Sequence, residues 1–181
     1  MNKSEKIVKT FIQVIASPYF AIEDIAMVLN DHHIEYAVIG GIALAAHNYK
    51  RQTLDIDILI SKKSFEVFTD KLVGVYFKGI AGSTRNFYYL TDVKKYRVEF
   101  LVEGDNNGIE MPNPLSIRTK MYGVWYIDLK NLIILKLNAS RTKDISDVEY
   151  LIVNNELPLS FLENSNFCNE YTKIWNSLKR R

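Results

Sequence analysis

The residues that decide the fold are Val38-Ile-Gly-Gly-Ile-Ala-Leu-Ala-Ala-His-Asn-Tyr-Lys-Arg-Gln-Thr-Leu-Asp-Ile-Asp-Ile-Leu-Ile60. An apolar run ends in two glycines, and the stretch closes on Asp55 and Asp57, which alternate with aliphatic residues from Leu54 onward. This alternation has the period of a β-strand, so both carboxylates are expected on one face and Leu54, Ile56 and Ile58 buried on the other. Carboxylates held this close repel each other unless a cation lies between them. Seen alone, the triplet would also suit a solvated edge strand.

Composition limits the class of protein. The chain has 181 residues, of which 48% are hydrophobic and 24% charged, as in an ordinary globular domain. A net charge of +2 predicts no strong general attraction to nucleic acids or membranes. The N-terminus lacks a signal-peptide core, and no run approaches the roughly 18 apolar residues of a membrane span. Cys168 is the only cysteine, which excludes an intrachain disulfide, so we expect a cytoplasmic protein with no membrane partner.

Hydrophobic spacing predicts a chain with strands in the middle and helices at both ends. Helices are predicted over residues 4–16, 21–30, 42–47, 64–72, 129–140 and 144–153, and strands over 36–39, 54–60, 75–77, 87–90, 96–102 and 124–127. Gly40-Gly41 is predicted to be a tight turn, and residues 124–127 an edge strand. The fold class is therefore α/β in the broad sense (α+β), a mixed β-sheet with helices on one face and a helical C-terminal extension. Residues 1–127 would form the core and 128–181 the extension, packed together as one unit.

A third acid, Glu99, lies on the predicted strand 96–102. With Asp55 and Asp57 it would place three carboxylates around one or two Mg²⁺ (or Mn²⁺) ions, hard cations that prefer oxygen ligands. Such a site suits phosphoryl or nucleotidyl transfer, because bound ions activate the attacking hydroxyl and neutralise the leaving pyrophosphate. Gly40 and Gly41 would let phosphates approach the backbone at a helix start. Glu99 alone would be interpreted as a surface residue. The combination of Gly40-Gly41, the Asp55–Asp57 pair and a later strand acid is what makes the pattern specific for such a site.

Several polar and charged residues elsewhere in the chain each allow two interpretations. Lys136 lies in an apolar helix, so its ammonium either meets an acidic or phosphate partner or extends to solvent. Asp144 and Asp147 share a helix face, where they either join the site or cap the helix and pair with nearby basic residues. Arg51 and Thr53 precede the acidic strand and either contact phosphates or hold the loop.

Two blocks of sequence resemble a known family. Gly40-Gly-Ile-Ala-Leu-Ala-Ala-His47 followed by Arg51-x-Thr53-x-Asp55-x-Asp57 resembles the signature of the DNA-polymerase-beta-like nucleotidyltransferase superfamily. More narrowly it is similar to the small bacterial proteins of the AbiEii type, several of which are toxins of toxin–antitoxin pairs. Leu132-Ile-Ile-Leu-Lys-Leu-Asn-Ala-Ser-Arg141, with Asp144 and Asp147 after it, resembles the helix lysine and the Lys-Asp-x-x-Asp motif of that family.

The resemblance implies a nucleotidyltransferase-like fold and a metal-dependent enzyme that transfers a nucleoside monophosphate from a nucleoside triphosphate to a hydroxyl of RNA, protein or a small molecule. Asp55 and Asp57 would be the metal pair, and Glu99 would occupy the place of the third acid, which is commonly Asp in the family. The residues implied in nucleotide binding are Gly40, Gly41, Arg51, Thr53, Lys136, Asp144 and Asp147. Because Glu99 departs from the family pattern, the alternative is a catalytically silent fold that binds a partner protein, as in a toxin–antitoxin-like pair.

Overall fold

The structure, a computed structural model, describes residues 18–92, 94–104 and 110–180, and the helix predicted over 4–16 lies outside them. The described elements, in chain order, are α1 (Pro18–Asp31), β1 (Tyr36–Val38), α2 (Gly40–Ala46), β2 (Asp55–Ile60), α3 (Lys62–Lys71), β3 (Phe77–Gly79), β4 (Asn86–Leu90), β5 (Lys95–Val102), β6 (Arg118–Met121), β7 (Val124–Ile127), α4 (Leu129–Ala139), α5 (Thr142–Asn154) and α6 (Cys168–Leu178). Short 3₁₀ turns lie between β5 and β6, at Pro114–Ser116, and between α5 and α6, at Leu159–Leu162.

The strands form one mixed sheet in the order β3-β4-β5-β2-β1-β7-β6. Strand β2 runs parallel to β5, and β1 runs parallel to β7, whereas the remaining neighbours are antiparallel. The predicted fold class, a mixed sheet combined with helices, is therefore confirmed. The parallel pairing of β2 with β5 positions the predicted site, because it sets the register between the strand that carries Asp55 and Asp57 and the strand that carries Glu99.

Alternation of side chains separates a core face from a polar face in the centre of the sheet. Ile56, Ile58 and Val98 are completely buried, and Phe100 is nearly so. The ring centroid of Phe68, on α3, lies 4.2 Å from that of Phe100, so α3 covers this apolar face. Burying the aliphatic residues of β2 and β5 on one side fixes the acids of the same strands on the other side.

Several boundaries differ from those predicted. Gly40 and Gly41 are not a separate turn but begin helix α2. Leu54 precedes β2 and is exposed, so its predicted burial was wrong. Strand β7 is not at the edge, because residues 118–121 form a further strand beyond it, and their sequence Arg-Thr-Lys-Met has no apolar alternation that would have revealed it. The described part of helix α1 runs from Pro18 to Asp31 and so extends past the predicted bounds of 21–30.

The C-terminal helices pack back on the chain. Asp128 caps α4, since its side chain accepts a hydrogen bond from the backbone N–H of Asn131 at 2.8 Å. On α6, the Tyr171 hydroxyl donates to the carbonyl of Pro158 and the Trp175 indole donates to the carbonyl of Leu157, both at 2.9 Å. Across the described ranges, none of the helices combines the length and apolar character of a membrane span.

Candidate active site

An open cleft of about 720 Å³ lies over the polar face of β2 and β5. One wall is formed by the sheet with Asp55, Asp57 and Glu99, and the opposite wall by α4 and the start of α5, including Lys136 and Asp144. Gly40, Gly41, Arg51 and Thr53 also line it, whereas Asp147 lies behind Asp144 and does not. The fold thus brings the predicted site residues other than Asp147 to one cleft, although they come from segments far apart in sequence.

The register of the parallel strands places the acids together. Asp57 is directly opposite Glu99, and Asp55 is opposite Arg97. Neighbouring strands are about 4.8 Å apart, so the three carboxylates share one small region of the sheet face. Arg97 Nε lies 4.0 Å from Asp55 Oδ1, and about half of each side chain is exposed. This ion pair is therefore weak, and it leaves most of the negative charge of the cluster uncompensated.

The pKa of Asp57 is raised by its burial and by the neighbouring carboxylates. Burial, as the largest cause, together with the negative charges of Glu99 and Asp55, raises it from its ordinary value of 3.8 to about 6. The positive charges of Lys136 and Lys143 act in the opposite direction without cancelling the shift. Water reaches Asp57 from the cleft, but most of its surroundings are protein. A cation bound among these acids would remove the cause of the repulsion.

Glycine is required where α2 meets β2. The backbone N–H of Ile39 donates to the carbonyl of Asp57 at 2.9 Å, which draws the start of α2 against the acidic strand. Gly40 has φ +62, and a Cβ at this position would lie 1.9 Å from Asp57 Oδ2. A Cβ on Gly41 would lie 2.7 Å from the hydroxyl oxygen of Thr53. Both glycines therefore permit a close approach that any other residue would block.

Replacing Gly40 by alanine should damage the site, and Gly74→Ala is the matched control. Gly74 also has positive φ, +91, but a Cβ there meets nothing within 4 Å. The control should cost only the conformational penalty, about 1–2 kcal/mol. Gly40→Ala adds the collision with Asp57, so we expect a loss of about 3 kcal/mol or more in the free energy of unfolding. Urea unfolding of both variants checks this, and equal losses would refute the close packing of Gly40 on Asp57.

A buried ion network supports the opposite wall of the cleft. Lys136 is only 7% exposed, and its ammonium lies 3.1 Å from Asp144 Oδ1 and 2.6 Å from Asp147 Oδ2. Arg51 Nε lies 3.0 Å from Asp147 Oδ1, and Arg141 Nε lies 2.5 Å from Asp144 Oδ2. Each buried carboxylate is thus held by two cations, so Lys136 meets acidic partners and does not extend to solvent.

The ion network carries an excess of positive charge, which lies on the side of the cleft. Three basic groups meet two carboxylates, which leaves one surplus positive charge. The two guanidinium groups carry it outward, because the Arg51 side chain is 30% exposed and that of Arg141 is 62% exposed. Arg51 also ties the segment before β2 to α5. Arg141 occupies the N-cap position of α5 without a capping hydrogen bond from its side chain, and Asp144 lies in the first turn, so Asp144 pairs with Arg141 but is not itself the cap.

Comparisons with known proteins identify the family of the chain and support its fold. Residues 19–181 match the family described as "Nucleotidyltransferase of unknown function (DUF6036)". The chain belongs to this nucleotidyltransferase family. Among solved structures, it is similar to an antigenic nucleotidyltransferase-like protein from Paracoccidioides brasiliensis, with a TM-score of 0.64 and 16% identity over 90% of this chain and 88% of that one.

It is also similar to the antibiotic-resistance factor ANT(2'')-Ia, with a TM-score of 0.51 and 12% identity over 95% of this chain and 94% of that one. At these identities the similarity concerns the fold. A comparison with curated protein sequences gives no match.

The cleft also contains basic residues that were not predicted from the sequence. Arg85, Arg141 and Lys143 line the cleft and add positive charge to it. Arg141 and Lys143 flank Asp144 within the second block, so their position beside a motif acid was a usable signal. Arg85 lies in a segment that reads only as a loop, and its guanidinium lies 4.5 Å from the centre of the Phe65 ring. Its place at the cleft depends on the pairing of β4 with β5, which no local pattern reveals.

The chemistry of the acidic residues in the cleft suits a hard cation such as Mg²⁺. Asp55, Asp57 and Glu99 supply hard oxygen ligands, and the pKa of Asp57 is raised by burial and, in addition, by the negative charges of the other two. Within the described part of the chain, no three or more His, Cys, Asp or Glu side chains are already gathered closely enough to hold a metal. Mg²⁺ usually binds through one or two carboxylates together with water and substrate phosphates, so a complete protein cage is not needed.

Proposed function

We propose that this protein is a Mg²⁺-dependent nucleotidyltransferase that transfers a nucleoside monophosphate from a nucleoside triphosphate to a hydroxyl group. The observation that carries the proposal is the placement of Asp55, Asp57 and Glu99 on one wall of a cleft whose other wall is basic. A triphosphate with its cation needs both features, because the acids hold the cation and the basic wall holds the phosphate oxygens.

The reaction is a displacement at phosphorus. The acceptor hydroxyl oxygen bonds to the α-phosphorus, and the bond from that phosphorus to the oxygen bridging it to the β-phosphorus breaks. Pyrophosphate leaves with that oxygen and the bonding electron pair, and the hydroxyl proton passes to a carboxylate oxygen of Glu99. Mg²⁺ held by Asp55, Asp57 and Glu99 would supply stabilisation of the charge that develops on the phosphate oxygens.

The basic wall positions the triphosphate. Arg51 and Arg141 present guanidinium groups to the cleft, a geometry suited to phosphate oxygens. Asp144 and Asp147 hold these two arginines in place, and Lys136 holds the two carboxylates. Gly40 and Gly41 offer backbone without a side chain at the base of the cleft, where Thr53 closes the same corner.

The similarity of both sequence blocks to the AbiEii type supports a finer form of the proposal, in which the enzyme acts as a toxin whose partner protein restrains it. Induced expression tests this form, since wild-type protein would arrest growth and Asp55→Asn would not. Equal growth with both proteins would refute the toxic role and leave the transfer reaction itself untouched.

The activity is tested with four α-³²P nucleoside triphosphates. Transfer of label is measured to total cellular RNA, to cellular protein and to the protein itself. We expect Mg²⁺-dependent incorporation by wild type, with Asp55→Asn and Glu99→Gln reduced at least about 100-fold, since each removes a charge aimed at the reacting centre. Glu66→Gln, an exposed substitution on α3, is the matched control and should retain full activity. Wild type that neither transfers label nor binds nucleotide with Mg²⁺ would instead indicate the silent binding fold.

A further inference from the structure

The sheet face that carries the acids continues past them to its β3 edge and stays exposed. The pairings β2–β5, β5–β4 and β4–β3 align Asp55, Arg97, Tyr88 and Lys78 in one row across four strands. Because cross-strand partners point to the same side, the row is continuous with the wall of the cleft. Side-chain exposure is 51% for Arg97, and Tyr88 is 36% exposed.

This face is basic once the acids are passed. In a neighbouring row, Lys95 lies opposite Leu90, and both are exposed. Among the described residues of β3, β4 and β5, Glu99 is the only acid, whereas Lys78, Lys95 and Arg97 all lie on the exposed face. The weak net charge of the whole chain therefore conceals a local concentration of positive charge.

An aromatic ring lies within this charge. Tyr88 is flanked in its row by Arg97 on one side and Lys78 on the other. The Arg97 guanidinium is oriented by Asn86, whose side-chain oxygen accepts hydrogen bonds from Nε at 3.1 Å and from Nη2 at 2.9 Å. An exposed aromatic ring between cations suits a chain of bases and phosphates, because bases stack on the ring while the cations meet the phosphates.

The row of side chains from Asp55 to Lys78 is long enough for several nucleotides. Three strand spacings of about 4.8 Å separate Asp55 from Lys78, or about 14 Å in all. At about 3.4 Å per nucleotide in a stacked strand, this distance corresponds to roughly four nucleotides. A strand lying along the row would therefore end at the acids.

We propose that the strand platform, formed by Lys78, Tyr88, Lys95 and Arg97, binds a single-stranded nucleic acid whose terminal hydroxyl is the acceptor. The inference rests on the proposed transfer activity for the role of the hydroxyl, but not for the binding itself. It commits the enzyme to a polynucleotide acceptor rather than a protein or a small molecule.

Fluorescence anisotropy with a labelled 12-nucleotide single-stranded RNA, and with DNA of the same sequence, tests the binding. We expect Lys78→Glu/Lys95→Glu to weaken wild-type binding at least tenfold at low salt. Lys63→Glu/Lys71→Glu makes the same change in net charge on exposed positions of α3, against the other side of the sheet, and should bind like wild type. Tyr88→Ala should weaken binding about 5- to 100-fold, and Tyr88→Phe should not, because a phenyl ring still stacks.

Several results would overturn the proposal. They are the absence of binding to either oligonucleotide, equal weakening by both double variants, or tight binding by Tyr88→Ala. Displacement of the strand by heparin from Tyr88→Ala and wild type alike would show attraction to any polyanion, which also contradicts it. Far-ultraviolet circular dichroism confirms that each variant is folded.

A second readout separates this inference from the proposed function. Stabilisation against heat by Mg²⁺ with a nucleoside triphosphate should survive Lys78→Glu/Lys95→Glu, since the platform does not hold the triphosphate. Asp55→Asn should lose transfer and keep strand binding. Transfer that proceeds to protein while RNA and DNA remain unbound would overturn the platform alone, whereas strand binding without transfer would overturn the transfer reaction alone.

Discussion

Replacing Asp57 by asparagine should abolish nucleotidyl transfer and, in the absence of metal, make the protein more stable at pH 7. Asp57 lies between Glu99 and Asp55, and its pKa is raised to about 6 by burial and by these two charges. At pH 7 the folded protein must hold this carboxylate ionised against its surroundings. Asparagine has nearly the same shape without the charge, so the variant loses the metal ligand and the repulsion together.

The size and pH dependence of this effect follow from the pKa. A shift from 3.8 to about 6 corresponds to about 3 kcal/mol, and because water reaches Asp57 from the cleft this is an upper limit, so we expect a gain of about 1–3 kcal/mol. Because the folded pKa lies above the unfolded one, the penalty is absent below pH 3.8, develops as pH rises toward 6, and is complete above it. The advantage of Asp57→Asn should therefore grow over that window.

Urea unfolding in EDTA between pH 4 and 8 measures the difference, with transfer assays on the same samples. Asp70→Asn, an exposed substitution on α3, is the control for loss of a carboxylate and should leave both quantities unchanged. Activity in Asp57→Asn should fall at least about 1000-fold. A destabilised Asp57→Asn at pH 7 would contradict the electrostatic reading of the cluster.

Replacing Lys136 by methionine should destabilise the fold more than any other single change in the ion network. The substitution keeps the apolar part of the side chain but leaves Asp144 and Asp147, both almost fully buried, with one cation fewer. Breaking a buried ion pair from one side costs about 3–5 kcal/mol, because a charge is left buried without its partner. Lys130→Met, an exposed substitution on the same helix, should cost less than about 0.5 kcal/mol.

The double variant Lys136→Met/Asp147→Asn sharpens this test. Removing one of the uncompensated charges should recover about 1–3 kcal/mol of the loss.

The destabilisation caused by Lys136→Met should also depend on pH. Burial alone would raise the pKa of Asp144, but hydrogen bonds and charges from Arg141 and Lys136 hold it below its ordinary value. Stability from that pairing is present above the unfolded pKa and lost as pH falls through the folded one, so the deficit of Lys136→Met should narrow on acidification. A constant deficit would contradict the pairing.

The acidic strand could be predicted because its signal is local. Asp55 and Asp57 alternate with apolar residues, and that period alone places them on one face of a strand. Gly40 and Gly41 were also visible in the sequence, but the reason for glycine there was not, because the collisions that a Cβ would make involve Asp57 and Thr53, which the fold brings against them. The parallel register that sets Glu99 opposite Asp57 likewise belongs to the folded sheet.

The ion network and the strand platform show where sequence reasoning ends. Lys136 in an apolar helix indicated a partner, but whether that partner was solvent, phosphate or acid depended on how α4 packs against α5. Strand β6 was missed because its polar sequence lacks alternation. Lys78, Tyr88 and Arg97 come from three strands, and only their pairing aligns them. Each residue alone looks like ordinary surface.

The fate of the two ends of the triphosphate tests the central claim most directly. Wild-type protein is incubated with Mg²⁺, total RNA and protein as acceptors, and a nucleoside triphosphate labelled with ³²P at either the α- or the γ-phosphate. Nucleotidyl transfer predicts α-label on the acceptor, γ-label in pyrophosphate, and neither product with Asp57→Asn. Appearance of γ-label on the acceptor, or equal transfer by Asp57→Asn, would contradict the account.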